Sequence, residues 1–129
     1  MRILIVDDDI INQKLLNAIL ADFGTVDLAE NGKEAITLVK NNFKENKYYD
    51  IIFLDIMMPV MNGHETLREI RRLEEQEGIH LGNGMKIVMV TALGNKENVL
   101  SAFSEGCEYY IVKPIRQEKI VEIMAEIQS

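Results

Sequence analysis

Three consecutive aspartates, Asp7, Asp8 and Asp9, follow an apolar run at residues 3–6. Two carboxylates about 4 Å apart repel by about 4 kcal/mol at an effective dielectric of about 20. A marginally stable domain does not accept such crowding without some return. Three other residues able to do chemistry also close apolar runs: Asp55 after IIFL, Thr91 after VMV and Lys113 after YIV. Carboxylates gathered beside an open site suit Mg2+, which takes hard oxygen ligands and lets water complete its octahedron. Such a cation offsets the repulsion and calls for an anionic ligand of its own. Phosphoryl chemistry supplies one, with Thr91 and Lys113 placed to hold phosphoryl oxygens. Asp9 reads differently, as a helix N-cap or a solvated loop residue.

For these groups to meet, the apolar runs must be strands of one sheet whose ends lie along one edge. Residues 3–6, 25–28, 51–54, 87–90 and 109–112 read as strands, and three of these runs are continuously apolar, as strands buried on both faces are. Helical patterns separate them. The first runs from Ile10 to about Asp22, with Ile11, Leu15, Ala18 and Ile19 at helical spacing and Gly24 as its stop. Asn31 is an N-cap for a second carrying Ala35, Ile36 and Val39. A third follows Asn62 and Gly63 with Leu67 and Ile70. A fourth starts near Asn95 with Val99, Ala102 and Phe103, and Gly106 ends it. The last shows Ile120, Ile123, Met124 and Ile127, an i, i+3, i+4, i+7 stripe. Five strand–helix units in series imply an α/β fold with a parallel sheet between helices. In such sheets ligands bind at the carboxyl ends of the strands, near the point where strand order reverses. Residues 74–84, EEQEGIHLGNG, read as a loop after the third helix.

Composition narrows the function. With 129 residues, 47% apolar and 27% charged, the chain suits one globular domain with a proper core. A net charge of −7 argues against binding the nucleic-acid backbone, which needs a basic face. No apolar run approaches membrane-spanning length and no signal-peptide pattern opens the chain, so a cytoplasmic place without membrane association is expected. The single cysteine, Cys107, fits a reducing compartment. His64 and His80 lack metal-ligand partners at suitable spacing and read as surface residues. Met57, Met58 and Met61 read as packing residues.

In this order and spacing, ILIVDDD, IIFLDIMMPVMNG, VMVTA and YIVKPI resemble the receiver domain of two-component response regulators, over essentially the whole chain. The resemblance implies a doubly wound, flavodoxin-like sheet of five parallel strands in the order 2-1-3-4-5 with five helices. It implies one receiver domain over residues 1–129 with no output domain after it, like the stand-alone, chemotaxis-type single-domain regulators. Asp55 is then the phosphoacceptor, with Mg2+ held by Asp8, Asp55 and the Met57 backbone carbonyl, and by Asp7 through water. Thr91, Lys113 and the Ala92 backbone bind the phosphoryl group, Thr91 and Tyr110 form the switch, and the Lys113–Pro114 bond is cis. The phosphoryl group comes from a histidine kinase or histidine phosphotransfer protein and the output goes to a downstream protein, so the chain is a switch rather than a turnover enzyme. The family resemblance also makes Met57 and Leu93, two residues after Asp55 and Thr91, neighbours of the path by which water attacks the acyl phosphate.

Two enzyme-like rivals fail on particular residues. A haloacid-dehalogenase-like phosphatase needs a second Asp two residues after its nucleophile, where this chain has Met57. A flavodoxin-type cofactor binder wants a glycine- or hydroxyl-rich phosphate loop after the first strand, and three aspartates there would repel a phosphate. A receiver-shaped interaction module that signals without phosphate stands as the alternative. Crowding of Asp7, Asp8 and Asp55 further implies that Asn at position 7 or 8 stabilises the metal-free protein.

Overall fold

The computed structural model describes residues 1–80 and 82–129. Strands β1 (Arg2–Val6), β2 (Thr25–Ala29), β3 (Ile51–Leu54), β4 (Lys86–Thr91) and β5 (Tyr109–Val112) alternate with helices α1 (Ile10–Leu20), α2 (Gly32–Lys44), α3 (Gly63–Gln76), α4 (Lys96–Ser104) and α5 (Gln117–Gln128). The strands form one parallel sheet in the order β2-β1-β3-β4-β5. No helix among the described residues is long and apolar enough to cross a membrane.

The continuous apolar strands are buried on both faces, and their alternation sorts them into two cores. Ile3, Ile5, Phe53, Val88 and Val90 meet Leu16, Ile19 and Leu20 of α1 and Ile120, Ile123 and Met124 of α5. Leu4, Val6, Ile52, Leu54, Ile87 and Met89 meet Ala35, Ile36 and Val39 of α2 and Leu67, Ile70 and Leu73 of α3. Register then aligns the strand ends. Val6 pairs with Leu54, Leu54 with Met89 and Thr91 with Val112, so the residues that follow each strand share one edge.

Helix starts follow their expected caps. Asp9 accepts from the Ile11 N–H at 2.9 Å, and Asn31 accepts from the Glu34 N–H at 2.9 Å. Asn62 and Glu65 form a reciprocal capping box at the head of α3.

Three expectations need correction. The apolar stripe of α1 is only partly the expected one: Ile19 is buried, but Ile11 is 73% exposed, Leu15 41% and Ala18 exposed, whereas Leu16 and Leu20 are buried. IINQKLLNAIL carries overlapping stripes on two faces, and the sheet selects the one that fills its core. The segment at 74–84 is not loop from its first residue, because α3 continues to Gln76 and buries Glu74. The Glu74 carboxylate accepts from Arg71 Nη1 at 2.6 Å and from the Met85 N–H at 2.6 Å, partners no helical period reveals. Leu81 of that segment lies outside the described residues.

Third, His64 is no free surface residue. Its Nδ1 lies 2.5 Å from Glu105 Oε1 and its Nε2 2.9 Å from Asn98 Oδ1, and Arg68 also reaches Glu105. The group ties the first turn of α3 to α4 and to its C-cap, Glu105.

Candidate functional site

The site grows from the ends of β1, β3, β4 and β5. Where β1 stops, the Asp7 N–H still bonds the Ala29 carbonyl of the neighbouring strand at 3.1 Å, and the Asp55 N–H bonds the Val6 carbonyl at 3.0 Å. These ladder bonds hold two acid-bearing residues side by side, and both are buried, Asp7 at 1% and Asp55 at 5% exposure. Asp8, the next residue, is exposed.

Lys113 reaches both buried acids. Its Nζ donates to Asp7 Oδ2 at 3.1 Å and to Asp55 Oδ2 at 3.0 Å. The other oxygens are held by the backbone, Asp7 Oδ1 accepting from the Asp9 N–H at 2.9 Å and Asp55 Oδ1 from the Met57 N–H at 3.2 Å. Burial pushes the Asp7 carboxyl above the usual carboxylate range; the Asp9 N–H draws it down, Asp55 adds to the rise and Lys113 opposes it. For Lys113, burial works against the charge, but the bonds and charges of Asp55 and Asp7 outweigh it and raise its pKa. The ammonium stays charged.

The donor set fits a hard divalent cation. One carboxylate oxygen each from Asp7, Asp8 and Asp55 lie within 4.8 Å of one another. Three carboxylates against a single ammonium leave excess negative charge, and oxygen-only ligands suit Mg2+ rather than a softer metal.

The loop from β3 to α3 wraps this pocket tightly. A Cβ at Gly63 would lie 2.3 Å from the Asp55 carbonyl oxygen, so only glycine lets α3 begin against the acid-bearing residue. Val60 sits at φ 72°, a region that β-branched residues disfavour. Its side chain is 77% exposed. Met57 is 57% exposed and so does not act as a packing residue, whereas Met58 is buried.

Thr91 is fully buried, and its Oγ1 accepts from the Leu93 N–H at 3.3 Å. Ala92 is exposed beside it. The Tyr110 hydroxyl donates to the Leu93 carbonyl, and its ring lies 6.5 Å from that of Phe103. Burial, with smaller contributions from Cys107 and Asp55, raises the Tyr110 pKa. Thr91 and Tyr110 therefore grip the two faces of one residue, Leu93. The Lys113–Pro114 bond is cis, as expected. Sequence reasoning missed Leu93's backbone role, and it missed Gln13, which is buried beside Asp7. The only sequence signal for Gln13 is its place in register with Leu16 and Leu20 on α1.

Comparisons with known proteins agree on one family. The family model of the response regulator receiver domain matches residues 3–125. The chemotaxis protein CheY of Thermotoga maritima is 32% identical over 130 residues, which cover 99% of this chain and 98% of that protein. Hybrid signal transduction histidine kinase I of Dictyostelium discoideum is 31% identical over 95% of this chain, and the match spans only 7% of the kinase's length. Among solved structures, the CheX–CheY–BeF3–Mg2+ complex of Borrelia burgdorferi matches with a TM-score of 0.84 at 29% identity, over 100% of this chain and 90% of that one. The receiver domain of sensor histidine kinase PA1611 of Pseudomonas aeruginosa, solved with magnesium in its active-site cleft, matches at 0.78 and 28% identity, over 99% and 98% of the two chains.

Proposed function

This chain belongs to the response regulator receiver domains of two-component and phosphorelay signalling, and on that premise we propose that Asp55 is its phosphoacceptor. The observation that carries the reading is the Asp55 carboxylate, buried at the pocket floor with Lys113 Nζ 3.0 Å from one oxygen and the Met57 N–H 3.2 Å from the other. In the transfer, an Asp55 oxygen attacks the phosphorus of a phosphohistidine. The O–P bond forms as the N–P bond breaks, and the imidazole leaves with the bonding pair. Lys113 neutralises the growing charge on the phosphoryl oxygens, and the Thr91 hydroxyl and Ala92 N–H turn to receive them. Asp8, Asp55 and the Met57 carbonyl, with Asp7 through water, would hold Mg2+, which neutralises phosphoryl charge when bound. The structure of the Pseudomonas relative with bound magnesium supports this choice of cation. The test is phosphotransfer from purified histidine kinases or phosphotransfer proteins with Mg2+: one phosphoryl group per chain, removed by hydroxylamine, is expected.

Signal leaves through Leu93. If Thr91 turns to the phosphoryl group, it releases the Leu93 N–H, and the loop that also holds Tyr110 shifts with it. This is a population shift between two packings. The surface that reads the shift is the α4–β5–α5 face, where Leu100, Phe103 and Val112 are exposed at 58%, 45% and 46%.

The phosphodonor meets α1. Ile10 is 63% exposed beside the acid pocket, and Lys14 is exposed on the same helix. Ile10→Ala is expected to slow transfer from the cognate donor by roughly fivefold, the size of a modest interface contact, with small-molecule phosphorylation unaffected. Unchanged transfer would remove Ile10 from the docking surface.

The acid cluster has a stability signature. Asp8 shares neither Lys113 bond, so Asp8→Asn is expected to raise the metal-free melting temperature by a few degrees, since about 1 kcal/mol shifts a domain of this size by roughly 4 °C. Asp7→Asn is expected to do so as well: burial and Asp55 raise its carboxyl pKa despite Lys113, so the charge is the disfavoured form, and the amide oxygen can still accept from the ammonium. The raised Asp7 pKa adds a pH dependence. The folded protein holds the Asp7 proton where the unfolded chain has lost it, so this contribution to stability falls as pH rises from the ordinary carboxylate range through the raised value. Mg2+ should stabilise the wild type by binding its folded state and Asp8→Asn far less. Equal shifts in thermal melts would refute the metal assignment.

A further inference from the structure

Gln13 lies in α1 at 8% exposure, an unusual place for a primary amide. Its Nε2 donates to the Asp7 carbonyl at 2.5 Å. The need for that bond follows from where β1 stops. The Asp7 N–H remains in the ladder, on the Ala29 carbonyl, but its own carbonyl has left the ladder where the chain turns toward α1. A buried carbonyl without a donor bears its full desolvation cost, and the Gln13 amide reaches back to meet it.

The same residue holds the far side of the turn. The Gln13 backbone N–H donates to the Asp9 carbonyl at 3.0 Å. Gln13 therefore grips the carbonyls on both sides of Asp8, one with its side chain and one with its main chain. Asp8 is the exposed member of the three-acid cluster and the one without Lys113. The Asp7 carbonyl shares a rigid peptide plane with the Asp8 N–H and Cα, so holding that carbonyl places the Asp8 Cα, and holding the Asp9 carbonyl as well narrows the directions in which the Asp8 side chain departs. A neutral amide suits the task. It donates a hydrogen bond without burying a charge and without placing a cation beside a metal pocket.

We propose that Gln13 is a positioning residue for divalent-cation binding, setting the Asp8 carboxylate through the Asp7–Asp8 peptide plane. The proposal rests on the Mg2+ reading above. Groups that orient ligands from behind are worth about 10- to 100-fold in metal affinity. Gln13→Met keeps the side chain's length and removes its donor, while the backbone bond to Asp9 survives. Mg2+ binding is measured by titration calorimetry on the unphosphorylated protein, alongside the Mg2+ dependence of labelling by acetyl phosphate. The dissociation constant is expected to rise about tenfold, with the labelling rate at saturating Mg2+ kept within about twofold, because Asp55, Lys113 and Thr91 are untouched. Should Gln13→Met fail to fold, Gln13→Asn, whose amide stops one methylene short, carries the same expectation. A merely structural role would lower thermal stability and leave the dissociation constant alone, so a folded variant that binds Mg2+ like wild type overturns the proposal. A wild type that takes up no Mg2+ overturns the metal reading itself, and this proposal with it.

Discussion

Asp55→Asn is expected to abolish phosphorylation, by acetyl phosphate and by a phosphohistidine donor alike. The amide keeps the volume and accepts from Lys113 through its remaining oxygen, but it lacks the anionic oxygen that attacks phosphorus. The other acids do not replace it. Asp7 is as deeply buried and bonded in the same way, by Lys113 on one oxygen and a backbone N–H on the other, so the choice of Asp55 rests on its place at the end of the central strand β3, the acceptor position of the family. Asp8 is exposed and has no Lys113 contact to offset charge on a phosphoryl group. The expected loss is at least about 100-fold, on the scale set by removing a positioned reacting group. Intact-mass measurement after incubation with acetyl phosphate and Mg2+ checks it: one added phosphoryl group on wild type, none on the variant. Undiminished labelling of Asp55→Asn would end the assignment.

The second large effect concerns how long the acyl phosphate lasts. Met57 and Leu93 line one groove with Asn62, His64 and Asn98, and the family resemblance makes these two residues neighbours of the path by which water attacks the acyl phosphate. Neither side chain can orient an attacking water. Slow self-dephosphorylation is the expected result, suited to sustained signalling or to a relay that hands its phosphate on. The Met57→Asn, Leu93→Glu double variant is expected to lose its phosphate about tenfold faster or more, because a positioned polar group replaces part of the ordering cost of bringing water into line. Leu93 meets Thr91 and Tyr110 through its backbone N–H and carbonyl, so exchanging its side chain leaves those two bonds in place. Decay of the purified phosphoprotein in Mg2+, followed for both proteins, decides the point. If the double variant decays no faster, the apolar gate is wrong even where the Asp55 chemistry stands.

The helices behave differently under sequence reasoning. Strand positions and the α2, α3 and α5 stripes were legible because alternation and helical period are local, and each of those helices has one strongly apolar face. In α1 they were not. Ile11, Leu15, Ala18 and Ile19 make as regular a stripe as Leu16, Ile19 and Leu20, and of the expected four only Ile19 enters the core. The sheet keeps the face that fills its core, and Asp9 capping and the Gln13–Asp7 bond hold the turn that presents it.

The sequence by itself determined the sheet, the strand ends and the chemical inventory at those ends: Asp7, Asp8, Asp55, Thr91 and Lys113. Parallel strands in register must bring such residues to one edge, because each strand run stops where its polar residue begins. Tertiary structure alone decided which partner each group takes. Lys113 bonds Asp7 from 106 positions away, His64 meets Glu105 across 41 and Tyr110 meets Leu93 across 17. Such pairings carry no local period or propensity. They follow from two packed layers fixing backbone positions to within hydrogen-bond reach, and that is information the chain acquires only on folding.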